Sequence, residues 1–232
     1  MSAPTSPHDA KKLELSIDAA DDAPGLALSS NGVVSASANW RSERNHSVEL
    51  LPNIDRLLTD ARHDKSDVTA IFVDIGPGGY AALRVGVSIA KALAHAFAVS
   101  LVGIGRLELG AYNVRDAAAG RRIVAVHVAG RGELAWAAYR EDGEWCEESG
   151  PRITKRKRIT DELHASDAVT GDVDDALSEV VSAAGAIIVT PGQHRVVALA
   201  SLSAQRLAAG RTDDPTALVP LYLRAPAIGP QR

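Results

Sequence analysis

Few residues in this chain are of the kinds that do chemistry, and their spacing decides which chemistries stay open. The densest candidate is Gly76-Pro77-Gly78-Gly79, set between an apolar run and a run of strong helix formers. A strand, a glycine turn and a helix N-terminus can present backbone N–H groups to a phosphate or to another backbone. The Lys-Ser/Thr ending of a P-loop is missing, and Ala81 stands where a dinucleotide fingerprint needs its third glycine. Asp18 has the chemistry to support a magnesium-bound nucleotide, or to hold a turn by bonding its own backbone. Asp18, Gly76, Gly78 and Gly79 are therefore the cofactor-binding candidates. No cofactor is expected. Among the histidines, His46 is followed four residues later by Leu50, while His8, His63, His95, His127, His164 and His194 are scattered without ligand spacing. Two metal ligands on one helical face need i, i+4 spacing, so no metal site is expected. Cys146 lies beside Glu144, Glu147 and Glu148, a poor setting for a thiolate. Arg152, Lys155, Arg156, Lys157 and Arg158 form a basic cluster. It is either a solvated edge or a contact for an RNA backbone, with no interleaved aromatic to stack bases. Nothing here assembles a catalytic constellation.

These residues must be positioned by a chain of 232 residues, 46% hydrophobic but only 4% aromatic, so its core rests on Ala, Val, Leu and Ile. That length suits one large domain or two small lobes. The net charge of −4 makes no global electrostatic case for nucleic acid or a membrane. A lone Cys146 excludes an intramolecular disulfide and fits a reducing cytosol, so a cytoplasmic location is expected. No apolar run approaches the roughly 20 residues of a membrane span. Residues 1–11 read as a frayed tail.

Periodicity then places the elements. Lys12 to Asp18 alternates, with Leu13, Leu15 and Ile17 on one face of a first strand. Gly25 to Ser29 and Val33 to Trp40 flank Asn31-Gly32, a type I′ hairpin signal. Asn45 to Arg62 is helical by pattern, and Pro52 should kink it or mark a second start. Ile71 to Ile75 is a buried strand, a helix runs from Ala81, and Val99 to Val102 is the fifth strand. In that helix Arg84, Ser88, Lys91 and His95 share one polar stripe, and Gly86, Ala90 and Ala94 form a small-residue row. The rest is apolar, more than one buried face requires. The second half repeats the outline: strands near Arg122 to Val128, Glu133 to Arg140 and Glu144 to Glu147, then Ala168 to Thr170, a helix Val173 to Ala183, a strand Ala186 to Val189 and a helix Gln193 to Ala209. A meander followed by parallel crossovers predicts a mixed sheet in each half.

The series resembles the actin-like (ASKHA, RNase H-like) superfamily, and more narrowly the glycoprotease-like TsaB/YeaZ family. The resemblance rests on Ile17-Asp18, on Arg44-Asn45-His46-Ser47 before Leu51-Pro52, and on Gly76-Pro77-Gly78 followed by Leu83-Arg84-Val85-Gly86 and Ala90-Lys91-Ala92-Leu93-Ala94. Gly132-Glu133-Leu134, with Trp136 and Tyr139, resembles the family's second-lobe hairpin, and Pro220-Leu221-Tyr222-Leu223-Arg224 its ending. The sequence departs from the family at Ala19 and Ala20, at Gly79 to Ala82, and at Val128 to Gly130, each time losing a polar group that could hold a nucleotide or a neighbouring loop. The resemblance implies an α/β fold of two actin-like lobes, each a mixed sheet with flanking helices: residues 12–112, then 113–232, with the last helix and tail free to pack back on the first lobe. It also implies a role as a non-catalytic scaffold in the complex that places threonylcarbamoyl on a tRNA adenosine. The expected partners are the catalytic transferase subunit as a heterodimer, an ATPase subunit, a second copy when alone, and tRNA indirectly. Val48, Leu51, Leu58, Val85, Gly86, Ile89, Ala90 and Leu93 are the expected partner-binding residues. The alternatives are a stand-alone actin-like kinase or nucleotide hydrolase, and a diverged paralogue outside the tRNA pathway.

Overall fold

The computed structural model describes residues 12–43 and 45–224; the expected tail over 1–11, Arg44 of the Arg44 to Ser47 motif, and Ala225-Pro226 lie outside the described residues. The chain opens with β1 (Leu13–Asp18), β2 (Gly25–Ser30) and β3 (Val33–Asn39) as an antiparallel meander. Asn31 (φ 50°) and Gly32 (φ 78°) both occupy the left-handed region, as a type I′ turn requires. Next come α1 (His46–Asp60), β4 (Val68–Gly76), α2 (Tyr80–Phe97) and β5 (Ser100–Gly105). Strands β1, β4 and β5 are parallel neighbours, and the sheet order is β3-β2-β1-β4-β5.

After α3 (Arg106–Asn113) and α4 (Arg115–Ala118), the pattern recurs. Strands β6 (Ile123–Gly130), β7 (Glu133–Asp142) and β8 (Glu144–Lys155) form a second meander, followed by a 3₁₀ segment Arg156–Glu162 and β9 (Ala168–Gly171). Then follow α5 (Asp175–Ala183), β10 (Ile187–Ile188) and α6 (Arg195–Ala208). The second sheet, β10-β9-β6-β7-β8, has the topology of the first. The molecule is thus α/β, two actin-like lobes with a mixed sheet in each.

Two local expectations are corrected, and one strand shows a feature its pattern did not announce. Helix α1 is one helix through Pro52, which lies on its exposed side, where the carbonyl left unpaired by the missing N–H can turn to water. Strand β8 does not stop at Glu147 but runs to Lys155. It is an edge strand, which tolerates Pro151, and register shifts opposite Trp136 to Tyr139 absorb the irregularity. Strand β1 alternates in sequence yet is buried on both faces, with Glu14 and Ser16 as inaccessible as Leu15.

That last feature reveals the layering. Leu13, Leu15 and Ile17, with Leu26, Ile71 and Val73, pack under α1 and α2 through Leu50, Ile54 and Val87. On the opposite face Ala70, Phe72, Val102 and Ile104 pack against Leu109 and Tyr112 of α3 and Ala198, Leu199 and Leu202 of α6. So α6, the last helix, covers the sheet of the first lobe. Glu14 tolerates burial because its Oε2 accepts from Ser29 Oγ (2.7 Å) and from the Gly32 N–H (2.9 Å), pinning the β2–β3 turn. In the second lobe Val124, Leu134 and Trp136 pack on Leu177 and Val181 of α5, while Ala125, Ala135 and Tyr139 face Leu107 and Ala111 of α3. Helix α3 therefore lies between the two sheets.

Because Leu15 is fully buried between layers that cannot collapse independently, Leu15→Ala is expected to cost about 2–5 kcal/mol. Urea unfolding followed by circular dichroism measures this, and a loss below about 1 kcal/mol would contradict the layering.

Candidate functional site: the cleft between the lobes

Parallel pairing of Ile17 with Val73 sets Asp18 beside Asp74 at the ends of β1 and β4, on the face that α6 covers. Each carboxylate closes a turn. Asp18 Oδ1 accepts from the Ala20 N–H (3.1 Å) and Asp74 Oδ1 from the Gly76 N–H (2.7 Å). Their outer oxygens meet Arg195, which opens α6. Its Nη2 lies 3.1 Å from Asp18 Oδ2, although its hydrogen bond is directed at Oδ1 (3.4 Å), and its Nε lies 3.9 Å from Asp74 Oδ2. The same Nη2 reaches Asp21 Oδ2 at 3.0 Å. Arg106, opening α3, places Nη2 2.8 Å from Asp21 Oδ2 and 3.9 Å from Asp172 Oδ1, in the second lobe. Asp172 Oδ2 then accepts from the Val128 N–H (3.0 Å) and pairs with His127 Nδ1 (2.7 Å). A continuous run of charge pairs thus crosses the cleft.

The electrostatics follow from burial and neighbours. Burial first, and then the Asp18 charge, push the Asp74 carboxyl well above its ordinary range, with Arg195 offsetting only part. Burial acts the same way on Asp21, but Arg195 and Arg106 outweigh it and hold its carboxyl below the usual value. At Asp172 burial is overcome by the His127 hydrogen bond, the Val128 N–H and Arg106, which keep it well below the carboxylate range. Burial works against the Arg195 charge, yet Asp18, Asp74 and Asp21 outweigh it and hold the guanidinium more firmly charged than usual. The position where Asp18 could meet a metal-bound phosphate is filled by guanidinium groups of this chain.

The glycines serve the same closed arrangement. The Gly79 N–H donates to the Ala20 carbonyl (2.8 Å), and a Cβ on Gly78 would lie 2.2 Å from that oxygen. The turn that could have cradled a phosphate receives the β1–β2 turn. Gly86 meets the same turn, where a Cβ would sit 2.9 Å from Ala19 Cβ. His46 is buried, its Nε2 2.9 Å from the Asp21 carbonyl oxygen. Among the described residues no group of three or more His, Cys, Asp or Glu is arranged to hold a metal ion, and no helix is long and apolar enough to cross a membrane.

The expected partner-binding residues separate into three groups. Val48 and Leu51 on α1 are open to solvent, 68% and 46% exposed. Val85, Ile89 and Leu93 are half-buried in a row along α2, while Leu58, Gly86 and Ala90 face inward. The polar stripe of α2 holds the carboxy-terminal segment: Lys91 Nζ donates to the Leu218 carbonyl (2.8 Å), and Tyr80 packs on Tyr222. In the basic cluster Arg156 pairs with Asp174, Arg158 with Asp161, and Arg152 lies over Trp136. Lys155 and Lys157 have no ion-pair partner among the described residues. Sequence reasoning missed Arg106, Arg195, Asp21 and Asp172, which are far apart in the chain; the charge of Asp74 inside an apolar strand was the one available signal.

Two lobes of one topology with a charge-filled cleft define a protein of the actin-like class. A family model described as TsaD, tRNA N6-adenosine threonylcarbamoyltransferase, matches residues 32–168, more than half of the chain, and the chain belongs to that family as a divergent TsaB/YeaZ member. It is 28% identical over 151 residues to the tRNA threonylcarbamoyladenosine biosynthesis protein TsaB of Escherichia coli (strain K12), covering 64% of this chain and 65% of that protein. It is 35% identical over 101 residues to TsaB of Bacillus subtilis (strain 168), covering 44% of each. The chain therefore spans less than two thirds of the length of these two relatives. An uncharacterized protein of Pseudomonas aeruginosa with similarity to peptidase YEAZ shares the fold, with a TM-score of 0.77 at 23% identity over 92% of this chain and 100% of the other.

Removing one partner of a buried ion cluster leaves the others uncompensated, so Arg195→Ala is expected to cost about 3–5 kcal/mol. Asp74 has the opposite sign. Its folded pKa lies above the unfolded value, so the native state keeps a proton that the unfolded chain has lost. Stability therefore falls as pH rises from about 4 through the folded value. Asp74→Asn keeps an acceptor for the Gly76 N–H and removes that fall. Denaturant midpoints measured from pH 4 to pH 8 should show the variant gaining on the parent as pH rises; parallel curves would contradict this account.

Proposed function

We propose that this chain is a non-catalytic scaffold subunit in the biosynthesis of threonylcarbamoyladenosine in tRNA, binding and supporting a catalytic threonylcarbamoyltransferase as a heterodimer. The observation that carries the reading is the apolar surface left on α1 and α2. Val48 and Leu51 stand in solvent, and Val85, Ile89 and Leu93 are half covered by their own lobe. Large apolar side chains gathered on neighbouring helices mark an interaction surface. A transferase of the same family would present equivalent helices, giving a four-helix contact. Pairing of two copies through this face when the partner is absent, and recruitment of an ATPase subunit to the assembled pair, belong to the same reading, as does a cytoplasmic location.

Support also comes from the E. coli and B. subtilis relatives, both named as tRNA threonylcarbamoyladenosine biosynthesis proteins. The cleft adds a physical reason to prefer a scaffold to a nucleotide-hydrolysing enzyme. Asp18 and Asp74 already face Arg195, so a metal-bound phosphate would have to displace a buried guanidinium. In this reading tRNA is met through the partner.

Val48→Asp and Ile89→Asp each place a charge on the docking face. Co-purification with the transferase of the same organism should fall at least tenfold for each, with the melting temperature of Val48→Asp unchanged. Undiminished capture by well-folded variants would remove the helix-face model.

A further inference from the structure

A further cavity lies beside the glycine turn and meets the ion-pair run only at its last member, His127. It has a volume of about 460 Å³, and the residues that matter in its lining are Tyr80, His127, Ala135, Ile153, Tyr222 and Arg224. The Tyr80 and Tyr222 rings form one wall, with centroids 4.8 Å apart and planes tilted by 30°. Both remain well exposed, 43% and 37%, although each is held in place. Arg84 lies 5.4 Å from the Tyr80 ring centre and donates to its hydroxyl (3.2 Å), and the Leu221 N–H donates to the Ile75 carbonyl (2.7 Å). Ala135 and Ile153, paired across β7 and β8, give an apolar floor.

The polar edge is equally defined. His127 Nδ1 is engaged by the Asp172 carboxylate at 2.7 Å, which requires its hydrogen on that nitrogen and leaves Nε2 as the edge available to the cavity. At the rim, Arg224 pairs with Glu133, and Glu133 stands directly opposite Lys155 in the β7–β8 register. Register alternation puts Lys155 on the same face as Ile153, two residues away. Lys155 brings a positive charge that Glu133, already holding Arg224, does not cancel.

A flat apolar floor, an exposed aromatic wall, one oriented imidazole and a cationic rim are the complement of a nucleobase joined to a phosphate. We propose that this cavity binds a nucleotide, its base on the Tyr80–Tyr222 wall and within hydrogen-bond reach of His127 Nε2, its phosphate at Lys155 and Arg224. The same chemistry is offered by a free nucleotide and by one residue of a single-stranded RNA, whose further phosphates would lie beyond the Lys155 and Arg224 rim. The site uses none of Val48, Leu51, Val85, Ile89 and Leu93, so it stands or falls apart from the docking face.

The test is calorimetric titration of the full chain with AMP, with adenosine, and with a short single-stranded oligoribonucleotide. AMP or the oligonucleotide should bind with a sub-millimolar Kd that weakens at least tenfold in Tyr222→Ala, whose side chain is exposed enough for the fold to survive. Lys155→Ala should weaken AMP and RNA severalfold while leaving adenosine unchanged, because only the phosphate is lost. Tighter binding of RNA, with a steeper salt dependence, identifies the strand as the source; tighter binding of AMP identifies the free nucleotide. Absence of heat for all three ligands at millimolar concentration, or affinities unchanged in a Tyr80→Ala/Tyr222→Ala double variant, would overturn the proposal.

Discussion

The structure depends on neutralising two carboxylates buried side by side. Parallel pairing of β1 with β4 brings Asp18 against Asp74 in a place with almost no water. Two like charges there are relieved in two ways: desolvation and the Asp18 charge push the Asp74 carboxyl up towards its protonated form, and a cation faces the pair. The cation is supplied by Arg195, from the start of a helix that crosses over to cover the first sheet. Arg106 then ties Asp21 of the first lobe toward Asp172 of the second. One electrostatic requirement thereby fixes where α6 docks and how the cleft is filled.

Helix α2 shows how packing distributes a surplus of apolar surface. Its small-residue row admits the β1–β2 turn at Gly86 and sits against its own sheet at Ala90 and Ala94. Helix α1 covers another flank, and the stripe carrying Tyr80 and Lys91 is taken by the carboxy-terminal segment. What stays only half covered is the row Val85, Ile89 and Leu93, close in character to Val48 and Leu51 on α1. A helix that has satisfied its sheet, its neighbour and a tail, and still shows aliphatic side chains, has surface to spare for a second chain.

Much of the architecture was legible. Period-two alternation, Asn31-Gly32 and the glycine turn located both meanders and the crossovers to within a few residues, because these signals act over short stretches. The misreadings have specific causes. Pro52 looked like a kink or a second start because sequence does not show which side faces water. The strand near Glu144 to Glu147 looked shorter than it is because the register shifts that let it continue past Pro151 depend on β7. The burial of Glu14 left no local signal because the Ser29 and Gly32 donors that satisfy it arrive only when the hairpin closes.

The cleft divides the two kinds of information most sharply. Residue types and local spacing were enough to establish two α/β lobes of one topology and a glycine turn without a nucleotide fingerprint. They also sufficed to mark the two helices of the first lobe as over-endowed with apolar side chains, since each of these is a property of neighbours along the chain. Whether Asp18 faces a ligand or an arginine, whether Gly78 receives a phosphate or the Ala20 carbonyl, and which of eight candidate residues remain on the surface were decided by the tertiary structure alone. The partners concerned are separated by tens to more than a hundred residues, and an interaction energy that depends on distance and dielectric does not exist until folding brings them together and removes the water.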